Sequence, residues 1–205
     1  PYLTVKSVEY VGEKIVYDMT VPEDHIYITN GLISHNCGEQ PLYPYESCNL
    51  GSINLYAMID FKDGKAEFNW ERYIETIKWA YRFLDNVIDV NKYPIPEIEE
   101  GSKSVRRVGL GYMGLADAMF ALGIPYSSEE GFKFIMRVTE YLTYYSMLES
   151  IERAKTRGVF PRYNQTSYKD GELPVEGYYH KELWTLDWDK IVELIKKYGI
   201  RNVEV

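Results

Sequence analysis

Residues Cys37 to Leu55 read CGEQPLYPYESCNLGSINL, and the texture of the chain changes on either side of them. Pro41 and Pro44 punctuate a loop, and Ser47 to Tyr56 has the makings of a strand that enters the next element. The stretch also holds both cysteines of a 205-residue chain, too few for a disulfide framework. Two thiols in a reducing compartment serve chemistry or sit in a core, and context decides which. With 45% apolar residues the chain can bury a real core. A net charge of -8 and a pI near 5.0 argue against a surface built for nucleic-acid phosphates. No apolar stretch approaches the roughly 20 residues needed to span a bilayer, and the amino end lacks the order of a signal peptide. The expectation is a cytoplasmic globular body with neither nucleic acid nor membrane as partner.

Working outward, the residues before Cys37 alternate like short strands. Val5 to Tyr10 and Ile15 to Val21 suggest a hairpin, and His25 to Ile28 leads into Asn30-Gly31, a strong turn pair. After Leu55 helices take over. Asn69 can cap a helix whose apolar stripe runs from Trp70 through Tyr73, Ile77, Tyr81 and Leu84 to Ile88 and ends before Pro94. The spacing of Met113, Leu115, Ala118, Met119 and Leu122 predicts a helix over Val105 to Leu122. Ser127 with Glu130 forms a capping-box pattern opening a long helix that stops at Gly158. Asp187 is expected to cap a last helix through Tyr198, closed by Gly199, with Arg201 to Val205 starting a strand. Gly109-x-Gly111-x-x-Gly114 satisfies the bare dinucleotide pattern, but with no evident βαβ unit around it the glycines are expected to serve close helix packing. Tyr141, Tyr144 and Tyr145 are expected in core and rim.

The residues Val16 to Val21, His25, and Asn30 to Cys37 (NGLISHNC) resemble the carboxyl-terminal splicing blocks of inteins, over residues 1–36. An asparagine amide can attack its own backbone carbonyl, closing a succinimide and releasing the next residue, and Asn36 is the residue placed to do so. Proton transfer around that carbonyl suits an imidazole, which puts His25 and His35 in that role, with Asp18 tuning them. Cys37 would supply the thiolate that accepts the upstream chain. The resemblance implies a small all-β, Hint-type piece. It also implies an amino-terminal intein half with its own nucleophile, absent here, so the chain alone is expected at most to cleave after Asn36, or to splice with that half supplied in trans.

Cys37-Gly38-Glu39 followed by Glu46 to Leu55 resembles the radical-site segment of ribonucleotide reductase large subunits, most like the adenosylcobalamin-dependent class. Arg107 to Asp117, Arg157 to Pro161 and Lys196 to Asn202 continue that resemblance over nearly all of residues 37–205. The resemblance implies an α/β fold, here a helix-rich fragment of a ten-stranded α/β barrel. It assigns a thiyl radical to Cys37, the general base for the 3′-hydroxyl to Glu39, and one of two reducing thiols to Cys48. The implied cofactor is adenosylcobalamin, the substrate a ribonucleoside di- or triphosphate, and the reductant a thioredoxin-like protein or dithiol. Fully extended, the eleven steps from Cys37 to Cys48 would span roughly 36 Å, so the chain must double back if both thiols face one sugar, and Pro41 and Pro44 fit that reversal. The family's asparagine before the radical cysteine would lie upstream of the intein and is not Asn36. The missing amino-terminal intein and reductase segments lead to the expectation that the isolated chain does not turn over ribonucleotides. A self-processing element only, or a helical interaction module without chemistry, are the alternatives.

Overall fold

The computed structural model describes residues 26–29 and 32–35 as backbone, and residues 42–173 and 181–203, of which residue 181 is backbone only. The chain falls into two compact units, Pro1–Pro41 and Leu42–Val205. In the first, strands β1 (Ile26–Thr29) and β2 (Leu32–His35) pair antiparallel, Ile26 opposite His35 and Thr29 opposite Leu32. Only Asn30 and Gly31 separate the paired ends, the connection length that the Asn-Gly expectation required. The hairpin expected over Val5 to Val21 lies outside the described residues.

The second unit is built around a parallel strand pair. β3 (Asn49–Asn54) lies beside β6 (Val108–Met113) in a register running from Asn49 opposite Val108 to Asn54 opposite Met113. Between them the chain makes a 3-10 turn at Leu55–Met58, the hairpin β4 (Ile59–Lys62) and β5 (Lys65–Phe68), and helices α1 (Trp70–Val90) and α2 (Pro96–Val105). The β4–β5 turn uses Asp63 and Gly64 at φ 51° and 75°, the two positive φ values a tight hairpin needs. That hairpin is absent from the reading above, although Asp-Gly was its signal.

Helix α1 forms as its stripe predicts. The Asn69 side chain accepts from the Arg72 amide, Tyr73, Ile77, Tyr81, Leu84 and Ile88 are buried, and the helix ends ahead of Pro94. The helix expected over Val105 to Leu122 is corrected. Residues 108–113 are strand β6, and only α3 (Leu115–Leu122) is helical. Pairing with β3 outweighs the helical spacing, and Gly114, at φ 69°, makes the corner between strand and helix. A Cβ at Gly114 would come within 2.6 Å of Asn54 Oδ1. The glycine pattern therefore lies on the second strand of a parallel crossover and ends at the corner before α3, so a βαβ unit precedes it, contrary to the expectation. Gly109 and Gly111 stand within the ladder opposite Leu50 and Ser52, whereas a pyrophosphate site needs them in the turn.

Helix α4 (Glu129–Arg157) is the spine of the unit. Its cap is Ser128, one residue past the expected Ser127, whose hydroxyl accepts from the Gly131 amide at 3.0 Å, and it stops at Gly158 as expected. Its Phe134, Val138 and Leu142 join Ile53, Leu55, Tyr73, Ile77 and Met119 in one core. Its Tyr144, Met147 and Ile151 join Phe160, Ile191, Ile195 and Ile200 in a second. Tyr144 is buried and Tyr141 and Tyr145 line its edge, the core-and-rim placement expected of them. Helix α5 (Trp188–Tyr198) is capped by Asp187 and closed by Gly199. Residues 201–203 then run beside the start of β6, with the Val203 amide donating to Val105 and the Val108 amide donating to Val203. The architecture is helix-rich α/β, with the barrel not closed among the described residues. No helix among them is long and apolar enough to cross a membrane.

Candidate active-site segment

Cys48 sits at the entrance to β3, half-buried, its Sγ 3.7 Å from the Asn49 carbonyl oxygen. The segment leading to it is tied down residue by residue. A turn centred on Pro44 and Tyr45 brings the Glu46 amide to the Tyr43 carbonyl at 3.1 Å, with Tyr45 at φ 65°. Pro44 thus sits in a tight turn, while Pro41 and the expected doubling back to Cys37 lie outside the described residues. The left-handed Tyr45 is held by close approach of α2, where a Cβ on Gly101 would fall 2.5 Å from the Tyr45 carbonyl oxygen. Ser47 Oγ meets Ser102 Oγ at 2.6 Å. Glu46 Oε2 accepts from Arg107 Nη2 at 3.0 Å and from the Tyr43 amide at 3.3 Å. Past the cysteine, the Asn49 amide donates to the Arg107 carbonyl and its side chain to the Leu84 carbonyl.

The link between α2 and β6, the 201–203 segment and α4 converge on one buried carboxylate, Asp85 of α1, which is 0% exposed. Its Oδ1 accepts from Arg106 Nη2 at 2.6 Å and from Asn202 Nδ2 at 2.9 Å, and its Oδ2 from Arg153 Nε at 2.8 Å. Asn202 Nδ2 also reaches the Arg106 carbonyl at 3.0 Å. Arg106, at φ 50° in the left-handed region, turns α2 into β6 while its guanidinium spans Asp85 and Asp89. Burial pushes the Asp85 carboxyl up, but the hydrogen bonds from Arg106, Asn202 and Arg153 hold it below the ordinary carboxylate range. The sequence reading missed this network. Its signal was a carboxylate four residues after Tyr81 and three before Ile88, in register with an apolar stripe.

Of the residues singled out from sequence, Cys48 alone has its side chain described. His35 ends β2, and only its backbone is described. Asp18, His25, Asn36, Cys37 and Glu39 lie outside the described residues. No group of three or more His, Cys, Asp or Glu able to hold a metal ion occurs among the described residues.

The barrel domain of ribonucleotide reductase matches residues 15–205. The chain is 46% identical over 132 residues to the Vitamin B12-dependent ribonucleoside-diphosphate reductase of Mycobacterium tuberculosis (strain CDC 1551 / Oshkosh), covering 64% of this chain and 18% of the relative. It is 47% identical over 125 residues to the reductase of that name from Thermoplasma acidophilum, covering 61% and 16%. To the ribonucleoside-diphosphate reductase subunit alpha of Chlamydia pneumoniae it is 36% identical over 199 residues, covering 89% and 18%. The chain thus spans under a fifth of the length of these relatives. On a match of this extent, the chain belongs to the ribonucleotide reductase barrel-domain family.

Proposed function

We propose that residues 37–205 are part of a catalytic barrel that reduces ribonucleotides, and that Cys48 is one of its two reducing thiols. The supporting observation is the anchored setting of Cys48, at the mouth of a parallel strand pair in a chain of this family. Cys37 carries the thiyl radical and takes the hydrogen from C3′ of the ribose, breaking C–H and forming S–H. Glu39 accepts the 3′-hydroxyl proton, and the 2′-hydroxyl leaves as water. Cys48 and a partner thiol elsewhere in the enzyme supply two electrons and two protons and close one disulfide. Glu39 then returns the proton to the 3′ oxygen and Cys37 its hydrogen to C3′, breaking S–H and regenerating the thiyl radical. The names of the relatives favour a ribonucleoside diphosphate over a triphosphate. A dithiol or thioredoxin-like protein reopens the disulfide, which suits a reducing, cytoplasmic setting.

Adenosylcobalamin, which would supply the initiating radical, is favoured by the names of two of the relatives, while the third carries no such name. The chain's three histidines, His25, His35 and His180, all have side chains outside the described residues, and the described ones form no ligand cluster. No residue of this chain is assigned to the cobalamin. The test is Cys48→Ser in a full-length reductase carrying this segment. Dithiol-driven deoxynucleotide formation should fall by about two orders of magnitude or more. Retention of multiple turnovers would sink the assignment.

For residues 1–36 we propose the end of an intein. Asn36 cyclises, His25 and His35 move protons, Asp18 tunes them, and Cys37 accepts the upstream chain. The supporting observation is the two-residue hairpin that brings β2 to His35, immediately before Asn36. The barrel-family match begins at residue 15, inside this stretch. Intact mass spectrometry of the chain incubated at neutral pH should show a species beginning at Cys37 that Asn36→Ala abolishes. A chain of unchanged mass, both alone and with an amino-terminal intein half supplied in trans, would overturn the intein reading.

A further inference from the structure

Glu46 is an expensive residue to place where it is. Its side chain is 1% exposed, Oε2 pairs with Arg107, and Oε1 has no hydrogen-bond partner. Arg107 is itself mostly buried, and its Nε is likewise unsatisfied. A buried pair with unmet hydrogen-bonding capacity is poor value for stability, since desolvation rivals the attraction, and its occurrence asks for another reason. Position supplies one. Glu46 is two residues before Cys48, so their Cα atoms are at most about 7 Å apart. Arg107 precedes the first rung of the ladder, and its carbonyl takes the Asn49 amide on the other side of Cys48. The pair therefore brackets the cysteine, tying the incoming loop to β6 where β3 begins.

We propose that Glu46 and Arg107 are positioning residues for Cys48, together holding its thiol at the strand entrance and balancing the charge around it. A reducing thiol reacts only as a correctly aimed thiolate, so place and local charge both matter. The carboxylate disfavours the thiolate and the guanidinium favours it, and the intact pair leaves the two effects opposed. Among the described residues, the other charges at this end of the strands are Asp85 and Asp89, shared by Arg106, Arg153, Arg157 and Arg201, and Glu99, which pairs with Lys103. The proposal rests on Cys48 being a redox thiol, but its test does not require turnover.

The experiment uses the full chain with Cys37→Ser, which leaves Cys48 as its single thiol, and follows iodoacetamide alkylation against pH. Glu46→Gln keeps the shape and leaves Arg107 uncompensated, so the alkylation midpoint should move to lower pH. Arg107→Gln leaves the carboxylate uncompensated, so it should move to higher pH, each by on the order of half to one unit. Arg107→Lys keeps the charge and should stay at the parental midpoint, and far-UV circular dichroism confirms that each variant folds. If Arg107→Gln does not fold, the charge effect is read from Glu46→Gln, which should lower the midpoint, against Glu46→Asp, which should keep the parental one, and equal midpoints in the two overturn the proposal. Midpoints that move in the same direction, as mere loosening would produce, or that do not move, overturn the proposal. The Cys48→Ser turnover test fails or succeeds independently of this result.

Discussion

Replacing Asp85 by alanine is expected to lower the unfolding free energy of the Leu42–Val205 unit by about 3–5 kcal/mol, the cost of breaking a buried ion pair from one side. The truncation leaves the guanidiniums of Arg106 and Arg153 and the amide of Asn202 without their shared acceptor, at a point water does not reach. Arg106 retains Asp89, so the network is weakened rather than dispersed. Urea denaturation of the full chain, followed by far-UV circular dichroism, gives the number, and a loss below about 1 kcal/mol would show the network to be dispensable. The same group dictates a pH dependence. The Asp85 carboxyl lies below the ordinary carboxylate range when folded. So does that of Glu140, whose burial is outweighed by hydrogen bonds from Thr185, Leu186 and Trp188. A depressed folded value means stability that is fully present above the ordinary range and is lost as pH falls through the folded value. The denaturation midpoint should therefore be level from about pH 7 to about pH 5 and fall below about pH 4, less steeply in the alanine variant.

Tyr73→Ala carries the second large effect. Tyr73 is 0% exposed, packs edge-on against Phe68 and Trp70, and donates its hydroxyl to the Val138 carbonyl at 3.3 Å, joining α1 to the middle of α4. Removing the ring leaves a cavity between the two longest helices and should cost about 3–5 kcal/mol. Tyr73→Phe removes only the hydrogen bond and should cost about 1 kcal/mol. Burial pushes the Tyr73 hydroxyl well above its ordinary range, so it remains a donor across the working pH range. Comparable losses in the two variants would show that the hydroxyl, rather than the ring, carries this junction.

Much of the unit is local enough to be legible in the chain itself. Asn69, Asp187 and Gly199 act within a turn of their own helices, and the stripe from Tyr73 to Ile88 repeats at the period of the element it forms. The cysteine spacing and its flanking residues pointed to the family, and the strand expected over Ser47 to Tyr56 is the shorter β3, Asn49–Asn54, with Cys48 just before it. The misreadings have separate causes, and the β4–β5 hairpin was missed despite its local Asp-Gly signal. Val108 to Met113 is a strand because β3, more than 50 residues earlier, offers a parallel partner, and no window along the sequence contains both. Helix α2 was passed over because Gly101 and Ser104 weaken its pattern, and the glycine is there to admit the Tyr45 carbonyl.

By itself, then, the sequence determined the ends of α1 and α5, the family and the identity of the candidate thiols, because each depends on neighbours a few residues away or on a contiguous motif. Only the tertiary structure decided that Asn202 reaches Asp85, and that Glu46 reaches Arg107 across Cys48. Those are contacts between residues 61 to 117 positions apart, set by burial of charge where strands converge, and a one-dimensional pattern carries no trace of such pairing.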